Sequence, residues 1–136
     1  MEKPRLVAIL FFVATSLSAG QAYAQSLEPG EWEFVSDIAM PGLPRPQQSG
    51  YRACLTREQA KDPMFWGRGA HLPSDCRVVS QKLGPSTTSW QIECPASGMK
   101  GAGKAQVGTA NMTSELQLSG GIRTQTRGQR RGPCNP

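Results

Sequence analysis

The clearest pattern along the chain begins just after position 30, where apolar and acidic residues alternate. The apolar residues occupy one parity and the acidic residues the other: Trp32, Phe34, Ile38 and Met40 against Glu31, Glu33 and Asp37. A period of two predicts a β-strand with one buried and one solvated face. The prolines at positions 41, 44 and 46 end this strand, because proline lacks the amide proton that a ladder needs.

Several later segments show the same alternation and predict further strands. We expect a second strand near Gln48 to Cys54, and two more on either side of the turn at Gly84 to Ser86. In segments 101–107 and 112–118 the predicted inner residues are Val107, Met112, Leu116 and Leu118. A last strand, Ile122 to Arg131, has almost no apolar residue. It is expected to be a solvated or edge strand, since charged side chains discourage edge-to-edge pairing.

One short helix is expected after the second strand. Thr56 and Gln59 have the spacing of a capping box, and Pro63 is a stop signal. The segment 64–75 has no steady period and predicts an irregular loop, in which Phe65 and Trp66 form either a plug over the core, which we favour, or a recognition tip. Together the elements predict a mainly β fold. It is an antiparallel meander of about seven strands forming a sandwich or partly closed barrel, with one short helix.

The first 24 residues have the organisation of a secretory signal peptide. Lys3 and Arg5 precede the apolar run 6–14, and Ala22-Tyr23-Ala24 provides an A-x-A cleavage site. The run is shorter than the roughly 20 apolar residues that cross a bilayer, and no comparable stretch follows it. We therefore expect a signal peptide at 1–24, a single mature domain at 25–136, a periplasmic or secreted location, and no membrane-spanning segment.

All four cysteines lie in the predicted mature domain. An even count in an exported chain indicates two disulfides. A zinc site is the alternative, but such sites usually contain close C-x-x-C pairs, which this chain lacks. A domain this small buries only about two-thirds of its unfolded surface, so covalent links would contribute a large part of its stability.

Three pairings of four cysteines are possible, and the turn near Gly84 favours one of them. If the flanking strands pair residues whose numbers sum to 170, three pairs face each other: Cys76 with Cys94, Val78 with Ile92, and Ser80 with Trp90. Facing cysteines in such a register are close enough for a disulfide. Cys54 and Cys134 would then form the second one.

The chain is basic, with a formal net charge of +5. In a cytosolic protein this would suggest nucleic acid, but we expect no nucleic acid as a partner of an exported domain. Arg123, Arg127 and Arg131 share a parity in the last strand and are candidate contacts for an anionic envelope molecule. A merely solvated edge is the alternative, and it is the one we favour.

Four large side chains are candidates for either a core or the lining of an apolar ligand cavity: Trp32, Phe34, Trp90 and Ile92. Small barrels often hold such a cavity. The alternation along the strands indicates only that these side chains are buried. Because native interiors pack densely, a filled core is the favoured interpretation.

Two sets of residues invite a catalytic interpretation. Glu31 and Glu33 lie about 7 Å apart on one strand face, a spacing that glycosidases use, but that face should be solvated and should leave both carboxylates ionised. His71 is the only histidine, with Asp75 four positions later, and no nucleophile motif accompanies them. We expect no catalytic, cofactor or metal site. The predicted function is a non-enzymatic binding or accessory protein, and the alternative is a hydrolase acting on cell-wall or surface polymers.

Several short motifs follow one another in a recognisable order. They are Pro29-Gly30-Glu31-Trp32-Glu33, Met40-Pro41-Gly42, Cys54-Leu55-Thr56, Cys76, Trp90, Cys94, Gly101-Ala102-Gly103, and Gly128 to Cys134. With these motifs the chain resembles the envelope proteins grouped as domain-of-unknown-function family 3617. The likeness covers nearly all of the mature chain. It implies a small exported domain of Gram-negative bacteria, and it implies no activity, cofactor or catalytic residue.

Overall fold

The fold is known from a computed structural model, which describes residues 27–62 and 72–135. Within these residues the chain forms antiparallel strands and one 3-10 turn at Gln59–Lys61. The strands are β1 Gly30–Ala39, β2 Gln47–Leu55, β3 Arg77–Leu83, β4 Thr87–Cys94, β5 Met99–Val107, β6 Asn111–Leu118 and β7 Ile122–Gly132. The predicted mainly β, antiparallel fold is confirmed.

The strands form one sheet in the order β2-β1-β7-β6-β5-β4-β3. The chain runs as a meander from β3 to β7, and β7 then pairs with β1, so the two ends of the described chain meet in the middle of the sheet. The sheet does not close on itself. Its two edges are β2 and β3.

β1 has the alternation that the sequence predicts. Trp32, Phe34, Ser36 and Ile38 are buried, and Met40 falls just beyond the end of the strand. The Trp32 ring stacks on Phe34, and its Nε1 donates a hydrogen bond to the Glu28 carbonyl at 2.8 Å. The indole is therefore buried with its polar atom satisfied.

β7 corrects the prediction of an edge strand. It lies between β1 and β6 and is paired on both sides. Its buried residues are Thr124, Thr126 and Gly128, none of which is recognised as apolar in a sequence pattern. Arg123, Arg127 and Arg131 lie on the opposite, solvated face. Arg130 falls on the side of the buried residues, opposite Trp32, where it is half-buried and its Nε donates to the Pro29 carbonyl at 3.1 Å.

The β3–β4 register agrees with the prediction at one pair and departs from it at another. Val78 faces Ile92 as expected, but a β-bulge between Val78 and Ser80 inserts one residue into β3. Ser80 consequently pairs with Gln91, and Trp90 pairs with Gln81. The predicted pair of Ser80 and Trp90 is wrong, because the bulge shifts the register by one position.

Both cysteine pairs have the connectivity that the sequence favours. Cys54 bonds Cys134, with Cα atoms 5.5 Å apart, and links the edge strand β2 to the residues that follow β7. Cys76 bonds Cys94, with Cα atoms 4.0 Å apart, and links the start of β3 to the end of β4. Each bridge therefore anchors one edge of the sheet.

One face of the sheet carries the core. The predicted inner residues of β5 and β6 are all buried there. From outside the sheet, Leu27 and Ala60 add to this cluster, and the Leu27 amide donates to the Ala60 carbonyl at 3.2 Å. The cluster consists of Leu27, Trp32, Phe34, Leu55, Ala60, Trp90, Ile92, Ala105, Val107, Met112, Leu116 and Leu118.

The reciprocal hydrogen bonds of the predicted capping box are present, but the predicted short helix is only the 3-10 turn Gln59–Lys61, whose N-cap residue is Glu58. The Thr56 amide donates to Gln59 Oε1 at 3.1 Å, and the Gln59 amide donates to Thr56 Oγ1 at 3.3 Å. The predicted stop at Pro63, the plug residues Phe65 and Trp66, and the signal peptide at 1–24 lie outside the described residues. In the part that is described, no helix is long and apolar enough to cross a membrane.

Candidate functional site

The face of the sheet opposite the core is polar, and the arginines of β7 run along its centre. Arg123, Arg127 and Arg131 follow one another at four-residue intervals, which separates their Cα atoms by about 13 Å. Their side chains are 56%, 65% and 46% exposed. The structure thus places all three candidate anion contacts on one accessible face of a central strand. We call Arg123, Arg127 and Arg131 the arginine row.

Each of these arginines has a carboxylate partner on a neighbouring strand. Arg127 lies 3.3 Å from Asp37 and Arg131 lies 3.2 Å from Glu33, both on β1. Arg123 lies 3.5 Å from Glu115 on β6. The pairs form because β7 lies between β1, which has acidic residues on this face, and β6, which has Glu115 on the same face.

Glu33 is the most strongly held of these carboxylates. Its oxygens lie 3.2 Å from Arg131 Nη2 and 2.9 Å from Arg52 Nη2. The hydrogen bond from Arg131 is the main cause that lowers the pKa of Glu33 below its usual value. The positive charges of Arg131 and Arg52 lower it further and outweigh the opposing effect of partial burial. Glu33 is therefore ionised at neutral pH.

Glu31 and Glu33 lie side by side on the polar face, as the parity predicts. Glu31 is 3.9 Å from Arg52, so one guanidinium lies near both carboxylates. A glycosidase needs one carboxylic acid whose raised pKa keeps it protonated. The lowered pKa of Glu33 is the opposite of that requirement.

Two adjoining depressions lie on the polar face and share Arg127 as a border. The first has a volume of about 800 Å³ and reaches from β1 to β3; its lining includes Asp37, Lys82, Lys104, Glu115 and Gln125. The second has a volume of about 750 Å³; its lining includes Glu33, Gln106, Asn111, Gln129 and Arg131. Charges of both signs and uncharged hydrogen-bonding groups therefore surround the arginine row.

Residues 27–134 match the model of the protein family described as "Protein of unknown function (DUF3617)". The chain belongs to the DUF3617 family. The matched DUF3617 region includes all seven strands, both disulfides and the arginine row. No curated protein and no solved structure matches the chain.

The aromatic candidates of this DUF3617 domain lie on the other face, in the core. Trp32 and Phe34 are 0% exposed, Ile92 is 1% and Trp90 is 6%. Neither of the two depressions on the polar face is lined by any of them, and Ile92 borders a third, smaller depression of about 370 Å³. Their burial supports a filled core rather than an open cavity.

Of the remaining candidates for chemistry, Asp75 lies in the described part of the chain. Asp75 accepts a hydrogen bond from the Ala96 amide at 2.7 Å, which connects the loop before β3 to the turn after β4. His71, its suggested partner, lies outside the described residues. Over the described ranges, no three His, Cys, Asp or Glu side chains are grouped to hold a metal ion.

Sequence reasoning missed the residues that surround the arginine row. Asp37 and Arg127 are 90 positions apart, and Arg131 and Glu33 are 98 apart. They meet because β1 pairs with β7, and no local pattern in the sequence specifies that pairing. The equal spacing of the arginines was the one available signal.

Proposed function

We propose that this DUF3617 chain is an exported, non-enzymatic protein of the cell envelope that binds an anionic envelope molecule on the polar face of its sheet. The observation that carries the proposal is the row of Arg123, Arg127 and Arg131 on a central strand, beside two depressions. Phosphate and carboxylate groups are the ligands that a guanidinium binds best, because its planar fork matches their oxygens.

Two features support export to an oxidising compartment. The sequence begins with a basic head, an apolar run and an A-x-A site, as signal peptides do. All four cysteines are paired in disulfides, which form and persist outside the cytosol. Together the two features support a periplasmic or secreted location.

The carboxylates beside the arginines are weak competitors for an incoming anion. Exposed ion pairs contribute only about 0–1 kcal/mol, because water screens them. A phosphate that accepts two parallel hydrogen bonds from one guanidinium gains more than that exposed pair loses. Until a ligand arrives, the carboxylates hold the arginine side chains in place above the sheet.

The central position of β7 favours binding in a second way. The strand is hydrogen-bonded on both sides, so the spacing of its arginines is fixed before a ligand arrives. Sites on rigid elements lose less conformational entropy on binding than sites on loops. A ligand with several anionic groups can therefore engage more than one arginine at once.

The hydrolase alternative predicts a different result at Glu31 and Glu33. Their contacts with Arg52 and Arg131 support an electrostatic role, since an ionised Glu33 has no proton to donate. Replacing both residues by Gln should leave any activity on cell-wall polymers unchanged. Activity that disappears in the double variant would favour the hydrolase.

Binding to lipopolysaccharide and to anionic vesicles, at low and high salt, tests the proposal. The variant Arg123→Gln, Arg127→Gln, Arg131→Gln should weaken binding by about tenfold or more, because three charged contacts are lost. The matched control is Arg45→Gln, Arg57→Gln, Lys61→Gln, which removes the same charge from exposed positions outside the polar face. It should change binding by less than about twofold.

Two results would contradict the proposal. If neither probe binds in a salt-sensitive way, the arginine row is only a solvated surface. If the control variant weakens binding as much as the triple arginine variant, the interaction follows net charge and not this site.

A further inference from the structure

β3 is an edge strand with an unusually exposed surface. Among the strands that the structure describes it pairs only with β4, and six of its seven residues are exposed. Val79 and Leu83 are 45% and 59% exposed; among the described large apolar residues only Leu43, in a loop, is comparable. Apolar side chains on an exposed edge are unfavourable in water unless another segment covers them.

The charges of β3 differ from those on the rest of the sheet. Arg77 and Lys82 are its only charged residues, and neither forms an ion pair with any described residue. Glu93 faces Arg77 in the register but is paired with Lys100 at 3.8 Å. The β3 edge therefore presents two positive charges that form no ion pair with a carboxylate of the described chain.

Both ends of β3 are fixed by the surrounding structure. The disulfide of Cys76 and Cys94 holds the residue before the strand. At the other end the Gly84 amide donates to the Thr87 carbonyl at 2.7 Å and closes the turn to β4. A strand held at both ends is a preformed template, so a segment that pairs with it orders only itself.

The same features oppose pairing between two copies of this chain. Two β3 edges would bring four cations together, two from each copy. An acidic segment meets no such repulsion. At the opposite edge, Arg52 of β2 is already paired with Glu31 and Glu33.

We propose that β3 binds an extended segment of a partner protein that carries both carboxylates and apolar side chains, as an eighth strand of the sheet. Backbone hydrogen bonds along the edge supply affinity, as in other cases of strand addition. Carboxylates of the partner pair with Arg77 and Lys82, and its apolar side chains cover Val79 and Leu83. The backbone edge of β3 is distinct from the arginine row on β7, although Lys82 and Leu83 also line the depression that Arg127 borders.

The test uses capped synthetic peptides of about eight residues, the length of a typical strand. In one peptide valine alternates with glutamate, and in the matched peptide lysine replaces glutamate. Titration calorimetry should show binding of the glutamate peptide at least about tenfold tighter than the lysine peptide. Amide exchange measured by NMR should slow in β3 and remain unchanged in β2.

Two variants and one modified peptide separate strand addition from simple attraction of charges. Arg77→Glu with Lys82→Glu should reverse the preference between the peptides, whereas Arg57→Glu with Lys61→Glu, away from β3, should retain it. N-methylation of alternate amides in the glutamate peptide should abolish binding without changing its charge. The triple arginine variant of β7 should bind the peptide like the wild type.

Each contrary result overturns the proposal. Equal affinity for the two peptides would show that β3 does not prefer an acidic partner. Undiminished binding of the N-methylated peptide would show that the peptide does not add to the sheet as a strand. Slowed exchange on β2 or on the polar face places the site elsewhere, and dimerisation through β3 without peptide makes a second copy the occupant.

Discussion

β1 and β7 lie side by side in the middle of the sheet, and each is paired on both of its edges. On their buried sides, however, they carry opposite kinds of residues. β1 contributes Trp32 and Phe34, two of the largest side chains in the core, whereas β7 contributes Thr126 and Gly128. The comparison shows that a strand whose own buried side chains are small can still lie in the middle of a sheet, because large side chains of its neighbours cover it.

Gly128 shows how the two strands depend on each other. It faces Phe34 on one side and Met112 on the other. A Cβ atom at this position would lie 2.8 Å from each of those side chains. The side chains of Phe34 and Met112 pack over Gly128, so the space above β7 is filled by side chains of β1 and β6.

The largest effect should come from removing the large side chain of β1. Phe34→Ala should lower the free energy of unfolding by about 3–5 kcal/mol, because it leaves a cavity where Phe34 stacks between Trp32 and Tyr51. Chemical denaturation of the oxidised protein measures the loss. A loss below about 1 kcal/mol would show that Phe34 is not packed as described.

The second effect should come from adding a side chain to β7. Gly128→Val should lower the free energy of unfolding by about 1–3 kcal/mol through overpacking against Phe34 and Met112. The control is Gly50→Val on the edge strand β2, where a Cβ would make only ordinary contact, 3.5 Å from the Phe34 carbonyl oxygen. That variant should change stability by less than about 0.5 kcal/mol.

The two substitutions together sharpen the comparison. In Phe34→Ala with Gly128→Val, the valine occupies part of the space that the phenylalanine leaves. The double variant should therefore be more stable than the sum of the single effects predicts, by at least about 0.5 kcal/mol. Strict additivity would mean that the two side chains do not share one space.

The alternation of apolar and polar residues predicted the strands whose buried side chains are large and apolar. It failed where the buried side chains are small or polar. β1 and β6 have large apolar residues at alternate positions, so their buried faces were predicted correctly. In β5 the alternation identified only Val107, because the other buried positions are Gly103 and Ala105. In β7 the buried side is formed by threonines and a glycine, so the solvated arginines dominated the pattern. Hydrophobicity alone cannot separate such a strand from an edge strand.

The same limit explains what was foreseen of the candidate site. The arginine row follows from residue spacing within one strand, which the sequence shows directly. Its carboxylate partners depend on the pairing of β1 with β7, between residues 90 or more positions apart. The bulge in β3 adds a single residue without a glycine or proline to mark it, so the shift at Ser80 was also unpredictable.

An effect smaller than that of Phe34→Ala should come from the buried hydrogen bond that joins the two strands. Ser36 Oγ and Thr126 Oγ1 lie 2.7 Å apart in the buried face. Thr126→Val keeps the shape but leaves the Ser36 hydroxyl without this partner, which should cost about 1–3 kcal/mol. In the background Ser36→Ala the same substitution should be close to neutral. An equal loss in both backgrounds would mean that the bond does not contribute.

The smallest effect concerns the ion pairs on the polar face and depends on pH. Because the pKa of Glu33 is lowered from 4.5 in the folded protein, its ion pairs stabilise the fold above pH 4.5 and lose this effect as the pH falls through the lowered pKa. Glu33→Gln should therefore be slightly less stable than the wild type at neutral pH, and the difference should vanish in acid. A difference that is constant with pH would exclude this electrostatic contribution.

Hydrogen–deuterium exchange of the oxidised protein tests the central position of β7 most directly. Amides that are paired on both sides and lie over a buried face exchange slowly, whereas half of the amides of an edge strand point to solvent. The sheet order predicts that the amides of β7 exchange as slowly as those of β1 and much more slowly than those of β3. Exchange in β7 as fast as in β3 would contradict the placement of the arginine row in the middle of the sheet.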